Sequence, residues 1–314
     1  MLRRTTSLRA AAALALVCLS QGSSLHTQTA SPISTQQQVI VITGCTSGIG
    51  RGLAVEYASM GHTIACCGRR ENLLQELRET IEGGPHLVMR ADVTIEADVM
   101  AFASEVRLRF GHADVIIANA GINPGFLPPW LESVELLRSV LDVNLIGVHH
   151  TIRAFVPLLL EDLPDLSMMP SPRRLITISS GLGHSTNPYA WAYSSSKWAV
   201  ESLSKSTAQA FDEFGYKGRL LCVPLAPGII STGINTAPVA FDLSVWSQAA
   251  ARFILSITSA QTGASLSIPG FYSEEYKATW VIPDGLPLPS KVVPPSAGLC
   301  RETPEGPTRL CGEV

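Results

Sequence analysis

Seven short runs of β-branched and apolar residues recur along the chain: "VIVIT" (39–43), "TIACC" (63–67), "LVMRADV" (87–93), "VIIAN" (115–119), "LITIS" (175–179), "LLCVPLAP" (220–227) and "SLSI" (265–268). Most are apolar without alternation, the pattern of strands covered on both faces. Between them lie longer stretches in which apolar residues return every three or four positions, such as "ENLLQELRETIE" and "EADVMAFASEVRLRF". Strands alternating with helices predict an α/β domain: a doubly wound, seven-stranded, mostly parallel sheet with helices on both faces. Such folds bind ligands beyond the carboxyl ends of their strands, so chemistry is sought just after each run.

Three regions follow from where this pattern starts and stops. Residues 39–272 carry it and read as one folded domain, interrupted at 161–174 by the Pro-rich surface connection "EDLPDLSMMPSPRR". Residues 273–314 hold seven of the 21 prolines and no periodicity, and read as an irregular tail. Residues 1–38 form a leader. Arg3, Arg4 and Arg9 precede an apolar segment from Ala10 to Leu19, and no Asp or Glu occurs before Glu56. A basic, acid-free start with a short apolar core predicts a signal or transit peptide. Its destination would be the secretory pathway or an organelle, plastid or mitochondrion, rather than the cytosol.

Composition narrows the function. Charged residues make up 16% of the chain and the net charge is -3, which excludes the basic excess of a nucleic-acid binder. No uninterrupted apolar run reaches the roughly 18 residues of a membrane helix, so no transmembrane span is expected. The seven cysteines show no C-x-x-C and no metal-ligand spacing. Cys66 and Cys67, inside an apolar run, read as small buried hydrophobes.

The first run leads straight into "TGCTSGIG" (43–50) and then a helix-forming segment. Gly44, Gly48 and Gly50 permit a tight turn, close approach to a diphosphate, and packing of helix on sheet. The helix start then offers free N–H groups to phosphate. A glycine triplet alone is weak; between a strand and a helix it reads as a dinucleotide loop. After the second run stands "CGRRE". Gly68 occupies the place where an acid would bind the ribose hydroxyls of NAD, and Arg69 and Arg70 follow. Arginine's planar fork suits a 2′-phosphate, so the cofactor expected is NADP(H).

The TGxxxGxG loop, "ADV" (91–93), "NAG" (119–121), "DVNLIG" (142–147), "ISS" (178–180), "YSSSK" (193–197) and "PGIIST" (227–232) occur in that order. Together they resemble the short-chain dehydrogenase/reductase family over about residues 39–268. The one departure is Ala118, where many members carry an asparagine. The resemblance implies a Rossmann fold and an oxidoreductase. By position it implies a catalytic set of Asn144, Ser180, Tyr193 and Lys197. It assigns cofactor contacts to Gly44, Thr46, Ser47, Gly48, Ile49, Gly50, Arg69, Arg70, Asp92, Asn119, Ala120, Gly121, Tyr193, Lys197, Pro227, Gly228, Ile230 and Thr232. Asp92 would meet the adenine. Ser180 is preferred to Ser179 by its 13-residue spacing to Tyr193, and Tyr189 is set aside because no lysine follows four residues later. Within the family, "SSGLGHS", "YSSSKWAVESLSK" and "GHTIACCGRR" are similar to segments of plant NADPH-dependent pterin aldehyde reductases.

A lone Tyr–Lys pair at i, i+4 on a helix is usually a solvated pair. Beside a dinucleotide loop it reads as a tyrosine tuned for proton transfer, the Lys197 ammonium favouring the phenolate. The chain is thus expected to be a carbonyl reductase acting on a small-molecule aldehyde or ketone, or on the corresponding alcohol. A 3-ketoacyl-thioester reductase or hydroxysteroid-type dehydrogenase is the alternative, and a non-catalytic NADP-binding scaffold the alternative of another class. His184, Tyr189, Trp191 and residues 231–246 are candidate substrate walls, and His149 and His150 read as helix-face residues. The oligomeric state, homo-dimer or homo-tetramer, stays open.

Overall fold

The computed structural model describes residues 36–81, 83–124, 127–232 and 240–271. The leader to residue 35 and the tail from residue 272 lie outside these residues. Strands β1 (Val39–Thr43), β2 (Thr63–Gly68), β3 (Leu87–Arg90), β4 (Val115–Ala118), β5 (Arg173–Ile178), β6 (Leu220–Ala226) and β7 (Leu266–Ser267) form one sheet in the order β3-β2-β1-β4-β5-β6-β7. Every pairing among them is parallel. The strand order reverses between β1 and β4, which opens a crevice at their carboxyl ends.

The unbroken apolar runs follow from cover on both faces. Successive strand residues point to opposite sides. Ile40, Ile42, Ile64, Cys66, Ile117 and Ile176 pack beneath α1 (Gly48–Ser59), α2 (Glu71–Thr80) and α7 (Leu243–Ser256). Val41, Ala65, Cys67, Ile116 and Leu175 pack beneath α3 (Glu96–Phe110), α5 (Gly147–Leu160) and α6 (Trp191–Glu213). Burying one such aliphatic side chain contributes about 1.5–3 kcal/mol, so these two layers supply most of the drive to fold. Cys66 and Cys67 are fully buried, as their run predicts.

Three expectations change. First, β3 ends at Arg90, and Ala91 and Asp92 lead out of it into a turn at Val93–Thr94. Second, β5 begins at Arg173, inside the stretch read as a surface connection. Arg174 is 2% exposed and donates to the carbonyls of Leu255, Ile257 and Pro172. The carbonyls orphaned at the end of α7 attract a guanidinium into the core, which charge alone would place in water. Third, α4 (Val134–Leu141), a π-turn at Asp142–Ile146 and α5 run on as one helical stretch, Val134–Leu160, with hydropathy 1.4. By length and composition it could cross a membrane. Half of its most apolar 18-residue window is buried inside the domain, with Val140, Phe155, Leu158 and Leu159 in the core, so its apolar side already has a partner. The interrupting Asp142, His149, His150 and Arg153 hide it from a search for continuous apolar residues. His150 hydrogen-bonds the Val93 carbonyl through Nδ1 at 2.9 Å.

Candidate active site

The loop after β1 is built around absent side chains. Gly44 has φ +76°, and a Cβ there would lie 2.8 Å from the Ala120 Cα. A Cβ on Gly50 would lie 2.3 Å from the Gly44 carbonyl oxygen and 2.5 Å from the Asn119 amide nitrogen. Gly48, at φ +56°, faces the Thr232 side chain, which brings the segment after β6 over the loop. Ile49 packs against the hydrophobic core instead. A turn closed this tightly, opening onto the start of α1, presents backbone N–H groups rather than side chains, and therefore fits a dinucleotide diphosphate.

Asn119 holds the loop in place. Its backbone N–H donates to Thr43 Oγ1 at 3.1 Å, and its side-chain amide donates to the Thr43 and Gly44 carbonyls at 2.8 and 3.1 Å. The Asn119 amide is thus committed to loop backbone. At the end of β2, the Arg70 guanidinium reaches back to the loop, donating to Thr46 Oγ1 and Ser47 Oγ at 2.7 Å each. Arg69 turns the other way and pairs with Asp92 at 3.5 Å. Asp92 also accepts from the Thr94 N–H and hydroxyl. A Cβ on Gly68 would lie 2.6 Å from Thr46 Cγ2, so this corner has room for arginines but not for an added acid without movement of Thr46.

Asn144 lies fully buried on the π-turn. Such turns recur where a helix must aim one side chain out of register. Its Oδ1 accepts from the Ile122 N–H at 2.8 Å, and its amide donates to the Ile122 carbonyl at 2.9 Å and to Ser196 Oγ at 3.0 Å. Asn144 therefore ties the segment after β4 to α6. Gly121 sits between them: a Cβ there would stand 3.4 Å from Asn144 Oδ1 and 3.7 Å from Lys197 Nζ.

Ser180, Tyr193 and Lys197 converge at the end of β5. Ser180 Oγ accepts from the Leu182 N–H at 3.2 Å and stands close enough to the Tyr193 hydroxyl to pull its pKa down. Lys197, one helical turn after Tyr193, places Nζ 5.4 Å from the centre of the tyrosine ring and donates to the Ile178 carbonyl at 2.7 Å. Burial pushes the Tyr193 hydroxyl up to about 12, against the pull of Ser180. Burial also brings Lys197 down to about 8. The expected dominance of the ammonium over the phenol does not hold here. Desolvation prevails, and the tyrosine keeps its proton.

Beyond β6, the Pro227 carbonyl accepts from the indole of Trp246 at 2.7 Å. Gly228, at φ +87°, lies against the Phe271 backbone. Ile230 pairs with Phe241 in a short bridge. Residues 233–239, half of the candidate substrate wall, lie outside the described residues. Of the other wall candidates, Tyr189 and Trp191 are half-buried at the start of α6. His184 bonds Glu201 through Nε2 at 3.0 Å.

Glu201 was missed by the sequence reading. It is 4% exposed and follows Lys197 by four residues, on the helix face that carries Tyr193. The signal was present: a carboxylate at i+4 from the candidate lysine, on the same helix face.

A dinucleotide cradle at a strand-order reversal, with a Ser–Tyr–Lys group at the next strand end, defines a Rossmann-type oxidoreductase site. The chain matches the family described as short chain dehydrogenase over residues 38–240 and belongs to that family. It is 32% identical over 241 residues to an NADPH-dependent pterin aldehyde reductase of Arabidopsis thaliana, covering 74% of this chain and 93% of that one. An L-fucose dehydrogenase of Oryctolagus cuniculus is 31% identical, over 62% of this chain and 63% of its own, so the chain spans about two-thirds of that relative. Among solved structures it is similar to a 3-ketoacyl-(acyl-carrier-protein) reductase of Brucella melitensis complexed with NADH. That match has TM-score 0.65 and 24% identity over 75% of this chain and 98% of the other. An alcohol dehydrogenase of Thermococcus sibiricus complexed with 5-hydroxy-NADP gives TM-score 0.61 and 23% identity over 76% and 98%. At these identities the structural matches speak to the fold.

Proposed function

We propose that the protein is an NADP(H)-dependent carbonyl reductase in which Tyr193 is the proton donor. The observation that carries this is the placing of Tyr193 beside the buried Lys197, whose Nζ lies 5.4 Å from the centre of the tyrosine ring, at the strand end that bears Ser180. When bound, the reduced nicotinamide supplies a hydride to the carbonyl carbon. Ser180 hydrogen-bonds the substrate oxygen as negative charge develops there. Tyr193 delivers its proton to that oxygen, and its own developing phenolate is stabilised by Lys197 and Ser180. The ammonium, with one donor on the Ile178 carbonyl, keeps others for ribose hydroxyls. Asn144 holds the segment after β4 against α6, so that the tyrosine and the cradle keep one geometry.

NADP(H) is supported by Arg70, whose guanidinium already spans the Thr46 and Ser47 hydroxyls where a 2′-phosphate would sit, and by the cofactor named for the Arabidopsis relative. The same relative makes a pterin aldehyde the first substrate to test. The experiment follows NADPH oxidation at 340 nm across pterin aldehydes, aromatic aldehydes, quinones and 3-ketoacyl thioesters. Turnover of the aldehydes supports the reading. Turnover only of the thioesters moves the substrate class, and no turnover by a protein that binds NADPH supports a non-catalytic role. The leader's acid-free, arginine-containing sequence supports delivery to an organelle or the secretory pathway. A fusion of residues 1–38 to a fluorescent protein that stays diffuse in the cytosol would count against it.

A further inference from the structure

Behind the catalytic side chains lies a polar node in which one carboxylate faces four polar side chains. Glu201 Oε1 accepts a hydrogen bond from Ser179 Oγ at 2.6 Å and lies 3.0 Å from His184 Nε2. Its Oε2 accepts a hydrogen bond from Ser265 Oγ at 2.5 Å and lies 3.4 Å from Lys205 Nζ. These side chains come from the end of β5, the turn following Ser180, the entry to β7 and the next turn of α6. The node is closed: a Cβ on Gly183 would lie 2.8 Å from Ser179 Oγ and 3.1 Å from Glu201 Cγ. A carboxylate 4% exposed is costly unless its oxygens are satisfied, and here each accepts a hydroxyl hydrogen bond and has a basic group within ion-pair distance.

The links run to the reacting atoms on both sides. Ser179 is the covalent neighbour of Ser180, and its side chain is anchored by Glu201. His184 closes the turn whose first residue Ser180 caps, accepting from the Leu182 N–H. Glu201 itself stands one turn beyond Lys197 and two beyond Tyr193 on the same helix face. One side chain thus fixes the strand end bearing the serine relative to the helix bearing the tyrosine and lysine.

We infer that Glu201 is a positioning residue for this site, holding Ser180 in register with Tyr193 through Ser179 and His184. This rests on the reductase reading above. Misplacement of a reacting group by about 1 Å can cost on the order of a hundredfold in rate. Removing an outer hydrogen-bond partner of a functional residue characteristically costs about 10–100-fold.

The test is steady-state kinetics of the full chain for Glu201→Gln, Ser179→Ala, the double variant, and Lys205→Ala, with NADPH affinity by fluorescence and Tm alongside. Glu201→Gln replaces one acceptor oxygen with an NH2 donor that faces other donors, so kcat should fall about tenfold to a hundredfold while NADPH affinity stays unchanged. Ser179→Ala should lower kcat as well, and the double variant should be little worse than Glu201→Gln, because both break one link. Lys205→Ala removes a half-exposed partner at 3.4 Å and should leave kcat unchanged. A lowered Tm with wild-type kcat would assign Glu201 to stability alone and overturn the inference. So would additive losses in the double variant. If Glu201→Gln does not fold, Ser179→Ala decides: a wild-type rate overturns the inference. An inactive wild type overturns it together with the reductase reading, whereas an active wild type with unaffected variants overturns this inference only.

Discussion

Lys197 donates a hydrogen bond from Nζ to the Ile178 carbonyl at 2.7 Å, and the same Nζ lies 5.4 Å from the centre of the Tyr193 ring one turn earlier. The lysine is buried and is poised to stabilise a phenolate without generating one in advance. Burial holds Tyr193 up at about 12 and Lys197 down at about 8, so at neutral pH the site rests with both protons in place.

That arrangement has a thermodynamic signature. The lysine titrates at 10.5 when unfolded and at about 8 when folded. Between those values the unfolded chain binds a proton that the folded chain does not, so stability rises with pH across the window. The rise corresponds to roughly 3 kcal/mol. Lys197→Met should lose it, with unfolding free energy by urea nearly level between about pH 8 and 10 in this respect. Parallel curves for wild type and variant would show that Lys197 is not desolvated.

The cofactor corner separates two neighbouring arginines. Arg70 is aligned on the Thr46 and Ser47 hydroxyls, and Arg69 is engaged by Asp92. A charge-assisted contact to phosphate contributes about 1.5–3 kcal/mol, so Arg70→Ala should cut kcat/KM with NADPH by about tenfold to a hundredfold and spare NADH. Arg69→Ala should have the smaller effect. Gly68→Asp is a poor probe here, because its Cβ would press on Thr46. Equal use of NADPH and NADH by the wild type would remove the assignment.

Gly50→Ala should damage the cradle directly. The new methyl would fall 2.3 Å from the Gly44 carbonyl oxygen and 2.5 Å from the Asn119 amide, neither of which can retreat without breaking the clamp. Overpacking of this kind costs about 1–3 kcal/mol, and NADPH affinity should fall with Tm. Calorimetry with and without cofactor checks both.

Acid should loosen the amino edge of the sheet. His62 and His86 each accept a backbone N–H at Nδ1, from Gln38 and Ile64, and so must be neutral; burial lowers both below 6.5. Their contribution is present above pH 6.5 and is lost as pH falls through the lowered folded values. His112 opposes it, because Asp114 raises its folded value and strengthens it at acid pH. His62→Asn keeps an acceptor that does not titrate there and should flatten the fall in Tm below about pH 6.5. An unchanged slope would acquit His62.

The sheet was legible because unbroken apolar runs leave few alternatives to strands covered on both faces, and all seven strands formed where such runs stand. The glycine loop, "NAG", Ser180 and "PGIIST" were legible because each sits just beyond a strand, whereas Asn144, on the π-turn, and Tyr193 and Lys197, in α6, were read through the resemblance. What the sequence hid was charge that the fold pulls inward. Arg173 and Arg174 fell in a stretch that read as a surface connection, yet the carbonyls at the ends of α5 and α7 draw them in, and Glu201 carried no motif of its own. Likewise, Lys197 beside Tyr193 suggested a depressed tyrosine pKa, since spacing conveys proximity but not desolvation. Partners distant in sequence decide such cases, and periodicity carries no record of them.

Proton donation by Tyr193 is tested most directly by comparing NADPH oxidation and NADPH binding in Tyr193→Phe. The variant keeps the ring, the helix and the Lys197 bond to Ile178, and removes only the hydroxyl beside Ser180. Loss of a general acid costs about 10²–10⁴-fold, so kcat should fall at least a hundredfold while NADPH affinity stays near that of the wild type. A phenylalanine variant that turns over at close to the wild-type rate would contradict Tyr193 as the proton donor.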